Sequence, residues 1–235
     1  MATDPFVHLR VASGYSMMYG ANQPDELVAA AAGYGMDALA LTDRDGLSGA
    51  VRFVQACTTA GIHPIVGVDL AVLPLDGLPT AGRGRRTPAR GGTERDPRLP
   101  RLTVLARPDG GWAALCRLIS AVHAAGERAT PIATTDLICD HAAGGDLVVL
   151  AGADAEIGRA IARKDRSAAV RWLTEWRRRL PPGGFVIGVE HHLRAGHGPG
   201  SGSFAARLQS LAEAEGVPSV LSNAVRMTTP DRAPV

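Results

Sequence analysis

Seven short apolar runs punctuate the chain, at residues 6–12, 37–43, 62–69, 102–106, 146–152, 185–192 and 217–226, and stretches with helical periodicity separate most of them. Apolar runs this short, bounded by turn signals, read as buried strands rather than helices. A chain that alternates such strands with amphipathic helices is driven towards a parallel sheet covered by those helices and closed into a barrel. The expected class is therefore α/β, a barrel of seven strands, and 235 residues suffice for it as one domain.

The helical stretches carry their own signals. Asn22-Gln23-Pro24-Asp25-Glu26 starts a helix, with proline in the first turn and acids where the helix dipole favours them. Leu27, Val28, Ala31 and Ala32 form its buried stripe, and Gly33 or Gly35 ends it. A second helix is expected over 47–60, and a third from Gly111 with Trp112, Leu115, Cys116 and Ile119 as its stripe. Further helices are expected near 154–162, 167–180 (seam Val170, Leu173, Trp176, Leu180) and 202–215. Arg171, Arg177, Arg178 and Arg179 read as a solvated helix face.

Several strands end in polar residues, and the C-terminal ends of barrel strands are where functional groups sit. In the first run, Phe6, His8, Arg10 and Ala12 share one face and Val7, Leu9 and Val11 the other. His8 and Arg10 thus fall where an apolar residue is expected, which marks a site. Asp43, Asp69 and the Glu190-His191-His192 triplet close three later strands.

These ends carry a family resemblance. His8-Leu9-Arg10-Val11-Ala12-Ser13-Gly14-Tyr15-Ser16 resembles the opening motif of the PHP (polymerase and histidinol phosphatase) domains, H-L-H-V-H-S-x-Y-S in the polymerase branch. Alignment through Ser13, Tyr15 and Ser16 puts Arg10 and Ala12 on two positions that hold metal-ligating histidines in active members. Thr42-Asp43-Arg44 resembles T-D-H, with Arg44 on a ligand histidine, and Asp69 stands on an acid position usually filled by Glu. Glu190 matches an acidic position, and one of His191 or His192 matches a ligand histidine. Ser222-Asn223-Ala224-Val225-Arg226 resembles the closing T-N-D-x-H-Y, in which only Asn223 is kept. The run Leu102 to Ser120 is similar to one in bacterial C-family replicative polymerase α subunits, and the short closing motifs resemble their error-prone branch most.

The resemblance implies a distorted (β/α)7 TIM-like barrel, the PHP fold, over residues 1–235, and a role in DNA replication or repair synthesis. Arginine cannot lose its proton at biological pH and so cannot ligate a metal. The vestigial pocket is then His8, Arg10, Ala12, Asp43, Arg44, Asp69, Glu190, His191, His192, Asn223 and Arg226, with arginine–carboxylate pairs expected in place of metals and no catalytic residue expected. No cofactor is expected in this domain. Zinc or manganese enters only if the site is active, through Asp69, Glu190, His191 and His192. The resemblance makes the chain the N-terminal piece of a longer polymerase, whose palm and fingers are the expected partner and hold the magnesium of polymerisation. DNA is a partner only through that parent enzyme.

Residues 76–100 interrupt the pattern. They are rich in Gly, Pro, Thr and Arg and poor in aliphatics, so they are expected to be a disordered surface insert. The chain has one lysine, Lys164, among 25 basic residues, and a net charge of +2, so as a whole it is no basic nucleic-acid clamp. Cys57, Cys116 and Cys139 form no C-x-x-C pair, and Cys57 and Cys116 read as buried structural thiols. With no signal peptide and no spanning apolar run, no membrane partner and a cytoplasmic location are expected. Three functions compete at this level: a catalytically silent domain of an error-prone polymerase, a metal-dependent phosphoesterase or 3′–5′ exonuclease with a reduced site, and a stand-alone anion-binding module. The lost ligand positions disfavour the second, and the polymerase-type run disfavours the third.

Overall fold

The chain folds in the order β1 (Arg10–Val11), α1 (Pro24–Gly33), β2 (Ala38–Arg44), α2 (Ala50–Ala60), β3 (His63–Ala71), β4 (Arg101–Ala106), α3 (Gly111–Ala125), α4 (Thr135–Ala142), β5 (Leu147–Ala151), α5 (Glu156–Ala162), α6 (Arg166–Arg179), β6 (Phe185–Glu190), α7 (Gly202–Ala214), β7 (Ser219–Ser222) and β8 (Ala224–Val225). This computed structural model describes residues 6–74, 99–125, 131–229 and 231. The expected insert therefore lies almost wholly outside the described residues. Its last two residues, Leu99 and Pro100, are buried instead, and Pro100 accepts a backbone bond from Val72 at 2.9 Å.

Six strands form one curled sheet in the order β2-β3-β4-β5-β6-β7, and β1 pairs with β8 in a short parallel ribbon. That ribbon lies between the two edges of the sheet. The Ala40 amide donates to the His8 carbonyl at 3.0 Å on the β2 side, and the Leu9 amide donates to Ser222 Oγ at 2.8 Å on the β7 side. β7 and β8 are one strand with a break at Asn223, so a single segment passes from β6 to β1. The result is the distorted barrel of the expected class.

One expectation about the sheet fails. The sheet is not wholly parallel, because β4 runs antiparallel to both β3 and β5. The register accounts for it. Ala71, at the C-terminal end of β3, faces Arg101, at the start of β4, and Ala106 faces Leu147, at the start of β5. The chain re-enters the barrel on the side it had left, and a parallel partner would need a crossover to the other side. Two helices, α3 and α4, then bring it round to β5.

Helix starts follow the local chemistry. Pro24 opens α1, and Glu26 accepts from the Gln23 amide at 2.9 Å. Thr134, Asp165 and Ser201 cap α4, α6 and α7 with side-chain oxygens. The third helix buries a different stripe from the expected one: Ala114, Leu115, Leu118 and Val122 are buried, while Trp112 is 46% exposed. Ala32 is likewise exposed rather than in the α1 stripe, and Trp172 joins the expected seam of α6. A large core joins β3–β6 to α3–α7, and a smaller one joins Val11 and β2 to α1 and α2. Cys57 and Cys139 are buried, and burial pushes both thiols up to about 11. No helix among the described residues is long and apolar enough to cross a membrane.

Candidate functional site

The parallel strands deliver their last polar residues to one end of the barrel, and the register decides which of them meet. Arg44 lies opposite Asp69 across β2 and β3, and Glu190 lies opposite Ser222 across β6 and β7. Arg10, in the β1–β8 ribbon, faces Ala224 and reaches across the barrel from there.

Arg10 is the centre of the cluster. It is 8% exposed, and its two terminal nitrogens donate to Glu190 Oε1 and, at 2.9 Å, to Asp154 Oδ2. Burial is the largest single influence on this guanidinium and works against its charge. The carboxylates of Glu190, Asp69 and Asp154 outweigh it and raise its pKa above the ordinary arginine value. The partners respond in kind. Burial alone would raise the Glu190 carboxyl, but His192 and Arg10 together hold it below its ordinary value. Asp154 behaves the same way, lowered by Arg10 against its own burial. Gly152 leaves room beside the pair, since a Cβ there would press on Glu190 Oε1 at 3.2 Å and meet an Arg10 terminal nitrogen in ordinary contact at 3.5 Å.

A second cluster is built on Asp69. Arg101, the first residue of β4, donates from Nε to Asp69 Oδ2 at 2.7 Å and from Nη2 to Asp45 Oδ1 at 2.9 Å. Its pKa is raised, the acids overcoming burial. Arg44 is less well served. Its Nε stands 3.5 Å from Asp69 Oδ2, beyond a good hydrogen bond, and is buried with no hydrogen-bond partner among the described residues. Burial and the like charge of Arg101 lower its pKa. Its guanidinium lies 3.3 Å from the centre of the Tyr19 ring, and that of Arg226 lies 4.1 Å from the same ring.

Asp43 takes no arginine. Its carboxylate accepts from the Ser13 amide at 2.7 Å, from Ser13 Oγ at 2.8 Å and from Ser16 Oγ at 2.7 Å. Ser16 Oγ in turn accepts from the Arg44 amide at 2.9 Å.

Residues 8–192 match the PHP domain family. The chain belongs to that family. It is 35% identical to an error-prone DNA polymerase of Mycobacterium tuberculosis (strain ATCC 25618 / H37Rv) over 229 residues, which are 97% of this chain and 19% of that one. It is also 35% identical to the DNA polymerase III subunit alpha of Escherichia coli (strain K12) over 228 residues, 96% of this chain and 18% of that one. The chain thus spans about a fifth of the length of the curated relatives it matches. Among solved structures, an amidohydrolase from Chromobacterium violaceum superposes with a TM-score of 0.62 at 14% identity, covering 97% of this chain and 90% of the other. A metal-dependent phosphoesterase from Bifidobacterium adolescentis gives 0.61 at 12%, covering 95% and 89%.

In this PHP domain the acids Glu190, Asp154 and Asp69 at the barrel end are bonded to arginines. Glu190 and Asp69 already hold guanidinium groups, and arginine donates but never ligates. Among the described residues no group of three or more His, Cys, Asp or Glu side chains converges to hold a metal. His192 Nε2 stands 3.9 Å from Glu190 Oε2, while the His191 imidazole lies near the start of α7, where a Cβ on Gly202 would come within 3.1 Å of its Nε2. His8 is half-buried against Phe6, its Nδ1 has no hydrogen-bond partner among the described residues, and burial lowers its pKa. Ala12 is buried, and the Asn223 amide, in the orientation that satisfies it, donates to the carbonyls of Ser222 and His191.

Of the sequence candidates, Arg10, Arg44, Asp69 and Glu190 therefore meet around the barrel end, and Arg226 stands beside them on Tyr19. Asp43, His191 and Asn223 are engaged elsewhere. Asp154, Asp45, Arg101 and Tyr19 complete the cluster and were not among the candidates. Asp154 read only as a helix start and Arg101 as the residue before a strand, and neither position carries a local signal of its partners. The basic residues of α6 are taken up locally. Arg178 and Arg179 pair with Glu175, Arg177 donates to the Glu215 carbonyl at 2.7 Å, and Arg171 stacks on Trp172.

Proposed function

We propose that this chain is a non-hydrolytic PHP domain of an error-prone-type DNA polymerase, acting as a structural part of that enzyme. Its partner is the remainder of a polymerase chain, and DNA reaches it through the parent enzyme. The placement rests on identity spread over 97% of the chain to an error-prone polymerase.

The observation that carries the absence of hydrolysis is the Arg10 guanidinium held between Glu190 and Asp154. A metal-dependent phosphoesterase needs a cation that ligates water and lowers its pKa to make a nucleophile. Arginine supplies the same positive charge to the same acids, so the buried carboxylates stay ionised and paired. It does not ligate water, so it generates no hydroxide. The charge balance of a metal site is kept and its chemistry is lost.

The test is metal content and phosphodiester hydrolysis of the purified chain supplied with zinc or manganese, with the Arg10→His/Ala12→His double variant alongside. The expected result is sub-stoichiometric metal and no turnover above buffer in the native chain. Stoichiometric metal with turnover abolished by chelator refutes the reading.

A further inference from the structure

A separate group of cations lies on the exposed side of α5, α6 and α7 and shares no residue with the barrel end. α5 ends in a tight turn, in which the Lys164 amide donates to the Ile161 carbonyl at 3.1 Å and the Asp165 amide to the Ala160 carbonyl at 2.9 Å. This pair of bonds marks the helix-ending turn whose left-handed residue is ordinarily glycine. Here that residue is Lys164, with a φ of 61°. It is the one lysine among 25 basic residues. A side chain costs stability in that conformation, and residues held in it cluster at ligand sites.

Lys164 borders a cavity of about 460 Å3 together with Arg166 at the start of α6 and Ala206, Arg207 and Ser210 on α7, over the buried Ile161. Half of these lining residues are cationic and none is acidic. Arg207 fixes the shape of the groove. Its Nη1 donates to the Ile161 carbonyl at 3.1 Å, its Nε to the Ser203 carbonyl at 3.3 Å, and its Nη2 to the His197 carbonyl. Carbonyls hold the guanidinium without cancelling its charge. Asp165, the acid between the other two cations, is taken up in capping α6, where it accepts from the Ala168 amide at 2.9 Å. Among the described residues, the one carboxylate within ion-pair distance of any of the three is Glu215, at 3.9 Å from Arg166. Arg178 and Arg179, further along α6, pair closely with Glu175 instead. The charge of Lys164, Arg166 and Arg207 is thus left facing one concavity.

We propose that Lys164, Arg166 and Arg207 line a groove for the sugar–phosphate backbone of a nucleic acid strand. The inference rests on the reading that DNA reaches this domain through a parent polymerase, and it assigns the face that the strand touches. Lys164 offers a point charge that a phosphate oxygen can approach from any side, Arg166 a fork for two oxygens, and Ser210 a hydroxyl. None of the lining residues is aromatic, so no base is held by stacking, and backbone contacts alone carry no sequence preference. Three such contacts make binding weak and salt-sensitive, in keeping with a net charge of only +2 for the whole chain.

The single lysine gives a direct readout. The intact chain is treated with an amine-acylating reagent in chelator at low ionic strength, with and without a single-stranded oligodeoxynucleotide, and acylation of Lys164 is followed by mass spectrometry. The strand is expected to protect Lys164. Affinity for the same strand, read by fluorescence anisotropy, is expected to fall with salt at a logarithmic slope of about 2, from about 0.7 per contact, which is about 20-fold between about 50 and 200 mM. Lys164→Gly removes the charge and puts glycine where the turn prefers it, so the fold keeps or gains stability. That variant and Arg166→Gln are each expected to weaken binding and to lower the slope by about 0.7, whereas Arg178→Gln, outside the groove, changes neither. Acylation of Lys164 at the same rate with and without the strand overturns the inference, as does native affinity and slope in Lys164→Gly. Equal or stronger protection by polyglutamate overturns it too and assigns the groove to an acidic polypeptide. The readout is binding in chelator, so metal-dependent turnover that refuted the non-hydrolytic reading would leave this result standing on its own.

Discussion

Replacing Arg10 by Met tests whether the guanidinium holds this barrel end together. Methionine keeps the unbranched apolar stem and removes the charge, leaving Glu190 buried with an 8% exposed side chain and no cation bonded to it. Asp154 loses the same partner, but its side chain is 44% exposed, so water supports much of its charge and the cost falls mainly on Glu190. Breaking a buried ion pair on one side costs about 3–5 kcal/mol, and the partial exposure of Asp154 puts the expectation at the lower end, about 3 kcal/mol at pH 7. For a chain of this size that is a fall in Tm of about 6–12 °C. The pH dependence separates charge from packing. In the native chain Glu190 has a lowered pKa, so its contribution is present above the ordinary carboxylate value and is lost as pH falls through the lower folded value. In Arg10→Met the same carboxyl keeps His192 but loses the guanidinium, so burial weighs more heavily and raises its pKa relative to the native chain. Protonation at mildly acidic pH then removes the penalty. Urea unfolding of both proteins between pH 7 and pH 4 should therefore show a gap that narrows as pH falls, and Arg10→Met/Glu190→Gln should recover most of the loss at pH 7. A gap that stays constant with pH, or falls below about 1 kcal/mol at pH 7, refutes the electrostatic account and leaves only lost packing.

The second cluster behaves similarly. Arg101→Leu removes the bonds to both Asp69 and Asp45 and should cost about 3 kcal/mol by urea unfolding at pH 7, with Arg101→Lys intermediate because it loses the fork geometry. The tryptophans separate the two faces of the helices. Trp176, 1% exposed and stacked on Phe185 at 6.3 Å, should cost about 3–5 kcal/mol when changed to Ala, whereas the 46% exposed Trp112 should cost about 1 kcal/mol or less. Equal losses at the two sites would return Trp112 to the buried stripe of α3.

Much of the fold was legible because apolar runs of strand length separated by helical periodicity leave few architectures open. The direction of β4 was not, since the period-2 pattern of a strand is the same whichever way it runs. The stripe of α3 was misplaced for a related reason. Gly111, Ala114, Leu115, Leu118 and Val122 fit the helical period as well as Trp112, Leu115, Cys116 and Ile119 do, and periodicity alone does not choose which set faces the sheet. At the site, His8 and Arg10 stood out as polar groups on a strand face where apolar ones belong, and Glu190 as one of the polar residues that close a strand. Arg101 and Asp154 did not, because a charged residue beside a loop is unremarkable until the fold brings its partner to it. They are 32 and 144 residues away from the groups they bind, Asp69 and Arg10.

Ser13, Ser16 and Asp43 match the family motifs although neighbouring ligand positions do not, and the structure supplies a reason that involves no metal. The Asp43 carboxylate, 3% exposed, accepts from the Ser13 amide and both serine hydroxyls, and Ser16 passes the connection on to the Arg44 amide. This network fastens the loop after β1 to the end of β2, and the same loop presents Tyr19. Asn at that position keeps an oxygen for the Ser13 amide and Ser16 Oγ and can turn its NH2 to Ser13 Oγ, but it replaces charge-assisted hydrogen bonds with neutral ones. Asp43→Asn should therefore cost about 1–2 kcal/mol of stability, the difference between charge-assisted and neutral hydrogen bonds. It should also loosen amide-exchange protection at Ser13 and Arg44, which a purely local packing change would leave intact. Full stability and unchanged protection in Asp43→Asn would mean that the motif is kept for something other than fastening this loop, and a ligand held by Asp43 would become the explanation to test.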